Sequence, residues 1–429
     1  MSLAYWIIIV LVFINAIYRI RKKDYYNIAF ITAIGVFLPL CIYHLNWSKM
    51  TVHPIANDFY LIFIYFGIMV IFTSVVERKC YPVNVQYVFS TKSQLPIQLF
   101  NIIYVVSCLL ENIILSGNPF PMVFGIDVHT GKVGGLLWFT NTCFVILAIN
   151  YLGFRYTHKV KYLIWMAIGV LLPVVGKGSR QDAVMSIVQL ILFAAFINRE
   201  QIHKAWEKGK ISADTFGKAL KRILIIILFI LAAIVMVSWG IYRTVGIFST
   251  ESKYVLSIGY TGPGKGIWRE ILAWYYGYFS FSFNNLNNNI LNTPIHENWL
   301  GLNSFKAFWF GLMRLSWFGF HSDAANQTKT ILTTSATVTT TFWDFYYDYG
   351  NCCFIPMLIS GIFYLGLKEK VSSPFSSTGA YLRYFYWASL WFFAAFNNVV
   401  FFDCVFTNMI ILSIVVHFAF SNDSYYVDG

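Results

Sequence analysis

The chain has 429 residues, of which 58% are hydrophobic and only 12% are charged. Soluble domains carry about a quarter charged residues, so this composition excludes a soluble globular protein. The formal net charge of +12 does not by itself indicate a nucleic-acid partner, because basic residues in membrane proteins mark the cytoplasmic loops. We therefore expect an all-α, polytopic integral membrane protein that contacts membrane lipids and binds no nucleic acid.

Apolar blocks recur along the chain at about 15–22 residues, the length that crosses a hydrocarbon core of about 30 Å. The first block precedes the basic cluster Arg19–Lys23, the reverse of the order in a signal peptide, so it predicts an anchor with its N-terminus outside. We predict about eleven spans, at residues 3–18, 26–46, 58–76, 97–115, 134–154, 162–176, 181–197, 223–241, 342–367, 382–396 and 402–420. Their alternation places five basic clusters inside, at Arg19–Lys23, Arg78–Lys79, Arg155–Lys161, Arg199–Arg222 and Lys368–Lys370.

This topology divides the chain into three parts. Residues 1–241 hold the first eight spans, residues 242–340 form a long outer loop, and residues 341–429 hold the last three spans. A loop of this length in a compact protein usually has a function. Within it, residues 268–283 and 299–319 are aromatic and amphipathic, which predicts helices lying in the outer membrane interface.

The turn between the sixth and seventh predicted spans carries Lys177 and Arg180, in "VGKGSRQDAV" at 175–184. Ser179 followed by Asp182 resembles a capping box, so we expect the next helix to begin at Ser179. The N-terminus of a helix, an arginine and flanking glycines suit a phosphate group, which a guanidinium binds through two hydrogen bonds. The alternative is that both basic residues are anchors at the level of the lipid headgroups.

Other charges also face outward in this topology, and ionisable residues at a membrane edge are candidates for function. The further candidate ligands for a pyrophosphate are Arg243, Arg269 and Arg314. The acids near the outer ends of spans are Glu111, Asp344, Asp348 and Asp403. For any one of them, a helix cap or a local ion pair is the alternative.

The loop segment "WYYGYFSFSFNNLNNN" at 274–289 places aromatic rings beside asparagine amides. Aromatic faces pack on the C–H faces of sugars, and amides bond their hydroxyls. This pattern favours a glycan-binding surface that includes Trp274, Tyr275, Tyr276 and Asn285. An aromatic belt at the membrane interface is the alternative.

His321 is the loop histidine best suited to act as a general base near neutral pH, because Asp323 follows it and could orient its ring. A solvated histidine is the alternative. The outer segments contain no D-x-D or E-x-D pair, no H-E-x-x-H and no C-x-x-C, and the chain has no P-loop. We therefore expect neither a metal nor any other cofactor.

Two stretches resemble bacterial O-antigen polymerases of the Wzy type. "GKGSRQDAV" at 176–184 resembles their Gly-Ser-Arg turn, and "TVTTTFWDFYYDYGNCCFIPMLISGIFYLGL" at 337–367 resembles the segment after their long periplasmic loop. The plan of many spans, low charge and a long late loop is also similar. The chain departs from the pattern at Cys352–Cys353, where those polymerases usually carry Gly–Leu.

The resemblance implies a GT-C-like glycosyltransferase of the bacterial inner membrane, with a metal-independent active site facing the periplasm. Such enzymes move a growing glycan from undecaprenyl pyrophosphate to the non-reducing end of the next lipid-linked repeat unit, and a chain-length regulator is a further partner to test. Arg180 matches the arginine of the first motif, and Asp348 and Gly350 match the second. Asp348 is therefore added to the expected glycan-binding residues.

The expected chemistry needs stabilisation of a leaving pyrophosphate, for which Arg180 is the first candidate and Arg243 the second. The acceptor hydroxyl needs a modest base, for which we consider His321, Asp344 and Glu270 in that order. An O-antigen ligase, which uses similar donors, is one alternative function. A flippase or other transporter is another, although transporters tend to show the internal repeats that are not found here.

Overall fold

The computed structural model describes residues 2–22, 24, 26–78, 91–124, 126, 133, 135–177, 180–197, 253–295, 299–306, 308–309, 332, 340–372, 378–395 and 403–420. Within these ranges every regular element is helical, and the one strand-like pairing is an isolated bridge between Ser48 and Tyr260. The predicted span at 223–241 lies outside the described residues.

The first part of the chain forms the longest apolar helices. These are α1 (Ser2–Arg21), α2 (Ile28–Tyr43, with a π turn at Ala33–Phe37), α3 (Asn57–Val76) and α4 (Thr91–Ser116). By length and composition, α1, α3 and residues 94–116 of α4 are each able to cross a membrane. They coincide with the predicted spans at 3–18, 58–76 and 97–115, so the described part of the chain is a helical membrane protein.

Shorter apolar helices account for most of the other predicted spans. They are α5 (Cys143–Thr157), α6 (Val160–Lys177), α7 (Arg180–Ile197), α11 (Thr378–Phe392) and α12 (Asp403–Phe420). The predicted span at 134–154 is interrupted, because Leu137–Thr140 is a separate short helix and α5 begins only at Cys143. The total of eleven spans stays a prediction.

The side of α1 that faces away from the protein is apolar. Leu3 is 75% exposed, and Ile7, Val10, Ile14 and Ile17 are exposed on the same helix at spacings of three and four residues. Contiguous apolar surface of this kind is rare on soluble monomers and is the ordinary lipid-facing surface of a spanning helix. The opposite side of α1 packs along α3.

The predicted span at 342–367 is not one continuous helix. The chain forms α9 (Thr341–Tyr349), a single turn at Gly350–Cys352, and α10 (Phe354–Lys370), and the two parts are bent by 117°. Gly350 ends α9 with φ +52°, a left-handed conformation that residues with a side chain rarely adopt. The hydropathy of the sequence shows an apolar run across this junction, but it does not show the change of direction between α9 and α10.

The core is built from aromatic rings contributed by helices that are distant in sequence. Phe342 of α9 contacts Phe63 and Phe66 of α3 edge-on, with ring centroids 5.0 and 4.8 Å apart. Phe66 also stacks on Trp391 of α11 at 5.3 Å. Gly35 allows α2 to approach this region, because a Cβ there would overlap the backbone of Phe392. These contacts fix α9 against the spanning helices.

Candidate functional site

The basic turn lies between two helices. α6 ends at Lys177 and α7 begins at Arg180, so Arg180 occupies the first turn of a helix, one residue after the predicted start at Ser179. Gly178 and Ser179, and the side chains of Lys177 and Arg180, lie outside the described residues. The free N–H groups of the first turn of a helix favour an anion.

The end of α6 packs against a polar part of α4. A Cβ on Gly176 would overlap the carboxamide of Asn112, whose Nδ2 donates to the carbonyl of Pro119 at 2.9 Å. Glu111, next to Asn112, is fully buried and accepts a hydrogen bond from the backbone N–H of Val133 at 3.3 Å. The residue next to the Asn112 contact in α4 therefore carries a buried carboxylate. The sequence signal for it was a glutamate inside an apolar helix.

The helix of the long loop, α8 (Ile267–Asn292), is more deeply buried than predicted. Residues 280–289 are buried by the protein, and the helix packs against the C-terminal part of α2. Its first half is open to the surroundings at Ile267, Trp268 and Tyr278, and the helix is exposed again at its last two residues, Leu291 and Asn292. The prediction was a helix lying along the membrane interface over 268–283. It is wrong for the residues after Phe279, because these are buried inside the protein.

The expected glycan-binding aromatics of α8 separate into two groups. Trp274 stacks on Tyr278 with centroids 5.1 Å apart and planes at 17°, and Tyr275 stacks on Phe279 at 6.2 Å and 11°. Trp274 and Tyr275 are partly exposed, so their ring faces remain candidates for a glycan. Tyr276 is 3% exposed and packs on Trp47, 5.9 Å away, which makes it a core residue and not a glycan contact.

The asparagine run of α8 holds the protein's own backbone. The carboxamide of Asn284 accepts from the N–H of Val52 at 2.8 Å and donates to the carbonyl of Met50 at 2.9 Å. Asn287 accepts from the N–H of Ala56 at 2.9 Å and donates to the carbonyl of Val52 at 3.1 Å. These two side chains take the place of a partner strand for the segment at 50–56.

Asn285 was the asparagine expected to bind a glycan, and that expectation needs correction. Asn285 is fully buried, and its Oδ1 accepts from the backbone N–H of Leu332 at 3.4 Å. A side chain without exposed surface does not present an amide to a sugar. The run of polar residues gave no sign of this, because asparagine suits backbone pairing and sugar binding equally well.

Arg269 and Glu270 lie in the first turn of α8, next to the loop at 258–266, which follows a short helix at Lys253–Ser257. Arg269 is exposed, and its Nη2 donates to the carbonyl of Tyr260 at 3.2 Å. This contact directs one guanidinium nitrogen inward and leaves the residue accessible to a ligand. Burial raises the pKa of Tyr260, and Arg269 opposes part of that shift. Tyr260 therefore stays a neutral phenol near neutral pH.

The two acids of α9 are buried. Asp348 is fully enclosed, and its carboxylate accepts from the backbone N–H of Asn303 at 3.0 Å, from Asn303 Nδ2 at 2.7 Å and from the N–H of Ser304 at 2.6 Å. Asp344 is 8% exposed, and its carbonyl accepts from Ser304 Oγ at 3.0 Å. Asp348 therefore anchors the loop at 299–306 to α9, which corrects its expected contact with a glycan.

A second contact fixes α9 from its other side. Tyr346 donates from its hydroxyl to Asp58 Oδ2 at 2.5 Å, and Asp58 lies in the first turn of α3. α9 is thereby held between the loop at 299–306 and the start of a spanning helix. Asn303, Ser304 and Asp58 are residues that sequence reasoning missed, and single polar residues in loops or helix ends gave no distinctive pattern.

The remaining predicted ligands are Arg243, Arg314 and His321, and all three lie outside the described residues. Asp403 begins α12, but its side chain is also outside them. Among the described residues, no three His, Cys, Asp or Glu side chains come together as a metal site. The candidates among the described residues are therefore the basic turn, Arg269, Glu270, the open rings of α8 and the buried acids of α9. Of the helices that carry them, α8 and α9 are in contact.

No family model matches the chain, and no curated protein or solved structure is significantly similar to it.

Proposed function

We propose that the protein is an O-antigen polymerase of the bacterial inner membrane, with a GT-C-like plan and an active site facing the periplasm. The observation that carries the proposal is the position of Arg180 at the first residue of α7, directly after the glycine-flanked turn. That position suits the pyrophosphate of a lipid carrier, since a helix N-terminus and a guanidinium both favour an anion.

The proposed reaction transfers a growing glycan between two undecaprenyl-pyrophosphate-linked substrates. The acceptor hydroxyl attacks the anomeric carbon of the donor and gives its proton to a carboxylate or to His321. The bond from that carbon to the pyrophosphate oxygen breaks, and the lipid pyrophosphate leaves with the electron pair. Direct displacement of this kind inverts the anomeric configuration.

Each group has a separate task in this proposal. Arg180 and Lys177 hold the departing pyrophosphate. Arg269, which is exposed in the first turn of α8, supplies a further cation together with Arg243 and Arg314. The partly exposed rings of Trp274 and Tyr275 support the sugars. Glu270, partly exposed in the first turn of α8, is more accessible as a base than the buried Asp344.

The experiment compares polysaccharide ladders in a strain lacking this gene after complementation with wild type, Arg180→Ala, Arg180→Lys or the control Arg21→Ala. Arg21 is an exposed arginine at the end of α1, outside the candidate site. A charge-assisted hydrogen bond contributes about 1.5–3 kcal/mol, so Arg180→Ala should slow chain growth about 10- to 100-fold. Arg180→Lys should retain part of the activity, and Arg21→Ala should ladder normally.

The length of the glycan separates the alternatives. A single repeat unit on the lipid core in the Arg180→Ala strain means that flipping and ligation still work and that polymerisation is lost. Normal ladders at matched protein levels would assign Arg180 to membrane anchoring and remove the anion site from the proposal. Complete absence of surface glycan in the deletion strain would favour a ligase or a flippase.

A further inference from the structure

Four charged side chains meet inside the protein where α1, α3 and α10 end. Arg19 lies in the last turn of α1, Asp24 follows that helix, Glu77 directly follows α3, and Lys368 lies in the last turn of α10. Arg19 is 12% exposed, and Asp24, Glu77 and Lys368 are 3%, 0% and 1% exposed. We call these four residues the charge cluster.

Each cation of the charge cluster contacts both acids. Arg19 lies 3.5 Å from Asp24 and 3.5 Å from Glu77, and Lys368 lies 3.5 Å from Asp24 and 3.6 Å from Glu77. Two positive and two negative charges cancel, so the set is neutral as a whole. Removal of one member leaves an uncompensated buried charge, whereas the complete set carries no net charge.

Two tyrosines complete the charge cluster and extend it to α11. Tyr364 of α10 donates to Glu77 Oε2 at 2.7 Å and lies 3.0 Å from the hydroxyl of Tyr384 in α11. Tyr384 donates to the carbonyl of Tyr26 at 2.6 Å, and Lys368 Nζ donates to the same carbonyl at 3.1 Å. The cluster therefore joins the start of the chain to helices that follow more than 280 residues later.

Positive-inside reasoning assigned Arg19 and Lys368 to cytoplasmic loops, but burial sets them apart from their neighbours. Arg21 and Lys370, each two residues further along, are exposed as loop charges are expected to be. The two buried cations have internal partners and cannot act only as markers of topology. This difference also supplies matched control positions on the same helices.

The same two helices, α3 and α10, also meet in the middle and at their other ends. A Cβ on Gly361 of α10 would lie 3.0 Å from Met69 Sδ and 3.1 Å from Thr73 Oγ1, so the helices are in close contact there. Tyr65 of α3 contacts Phe354, the first residue of α10, with ring centroids 5.5 Å apart. Beyond the bend, Tyr346 bonds Asp58 at the start of α3. The bent pair α9–α10 is thus attached to α3 at both ends.

We propose that the charge cluster is a positioning device for the bend between α9 and α10. It fixes the depth of α10 against α3, and because α10 is a rigid rod, it fixes the junction at Gly350–Cys353 as well. Through that junction it sets the position of the acids on α9. The proposal concerns the fold and stands whether or not the protein is a polymerase.

A native cysteine reports on the bend at a distance from the charge cluster. Cys353 lies at the junction and is 1% exposed. The path from Phe354 to Lys368 along α10 covers fourteen residue steps, or about 21 Å at 1.5 Å per residue. A change in the reactivity of Cys353 after substitution of Lys368 therefore cannot come from direct contact. Cys108 and Cys143, buried in α4 and α5, report on general unfolding.

The experiment measures modification by N-ethylmaleimide, read by peptide mass spectrometry, on the full chain in lipid vesicles in a Cys352→Ser background. Lys368→Met should raise the rate at Cys353 at least 10-fold while Cys108 and Cys143 stay protected. The control Lys370→Met should leave all three rates unchanged. The double variant Glu77→Gln/Lys368→Met removes one charge of each sign, so it should protect Cys353 better than Lys368→Met alone.

Unchanged protection of Cys353 in a folded Lys368→Met protein would overturn the proposal and leave the charge cluster with a local role. If Lys368→Met exposes all three cysteines, the milder variant Tyr384→Phe is the deciding test of the proposal. It keeps all four charges and removes only the hydroxyl contacts. Selective exposure of Cys353 in Tyr384→Phe supports positioning. Equal protection of all three cysteines in Tyr384→Phe would then reject it.

Discussion

A carboxamide carries the same donor and acceptor groups as a peptide bond, and this identity explains the asparagines of α8. The segment at 50–56 is irregular and partly buried, so those of its N–H and C=O groups that are shielded from water need other partners. Asn284 and Asn287, three residues apart on one face of α8, supply them. The aromatic and polar pattern was interpreted as a sugar-binding surface, and only the exposed rings of Trp274 and Tyr275 remain available for that role.

Replacement of Asn287 by alanine should destabilise the protein markedly. The N–H of Ala56 and the carbonyl of Val52 would lose their partner. A fully buried group left unsatisfied costs about 1–3 kcal/mol, and for these partly buried groups that range is the upper bound. Thermal unfolding of the purified protein in detergent should show a clear loss of melting temperature.

Asn292→Ala is the matched control, because Asn292 lies on the same helix, is exposed, and bonds only within its own turn, to Asn288. Equal melting temperatures for Asn287→Ala and Asn292→Ala would show that the carboxamide of Asn287 does not hold the segment. An intact melting temperature combined with lost glycan binding would assign Asn287 to the sugar-binding surface.

At the level of helices, hydropathy located the apolar segments well and their geometry poorly. α1, α3 and α4 lie where the periodic apolar runs predicted them, because burial in lipid depends on composition and length. The bend after Tyr349 depends instead on one glycine with φ +52° and on the hydrogen bonds that Asp348 accepts from Asn303 and Ser304. Those partners lie some 45 residues away in sequence, and no local pattern contains them.

Gly350→Ala should therefore disturb the bend. A side chain at this position would be held in a sparsely populated backbone region, at a cost of roughly 1–3 kcal/mol. The melting temperature should fall, and the amide protons of Asn303 and Ser304 should exchange faster with solvent, since Asp348 lies two residues from the substitution.

Gly366→Ala provides the comparison for Gly350→Ala. Gly366 lies within α10, and a Cβ there meets no other atom within 4 Å. Alanine is favoured over glycine inside a helix by about 1 kcal/mol, so this variant should be neutral or slightly more stable. A Gly350→Ala protein as stable as Gly366→Ala would mean that the chain accommodates a side chain at the bend.

On the scale of the whole molecule, charge has two roles that composition alone does not separate. Some basic residues remain exposed at helix ends, as Arg21 and Lys370 do, and these mark the side of the membrane. Arg19 and Lys368 instead neutralise Asp24 and Glu77 inside the protein. The chain has 31 basic and 19 acidic residues, and this excess of basic residues fitted the positive-inside rule. The pairing of charges across distant helices, however, is visible only in the three-dimensional structure.

The predicted topology places two exposed lysines on opposite sides of the membrane. Lys159, in the short connection between α5 and α6, should face the cytoplasm, and Lys265, in the loop before α8, should face outward. Cysteine at 265 should react with a membrane-impermeant maleimide in intact spheroplasts, whereas cysteine at 159 should react only after the membrane is opened. The parent protein gives the background from its own cysteines. Because the basic turn, the loop helix α8 and α9 all belong to the outer side in this topology, labelling of both positions from the same side would separate the candidate residues across the membrane and exclude a single active site.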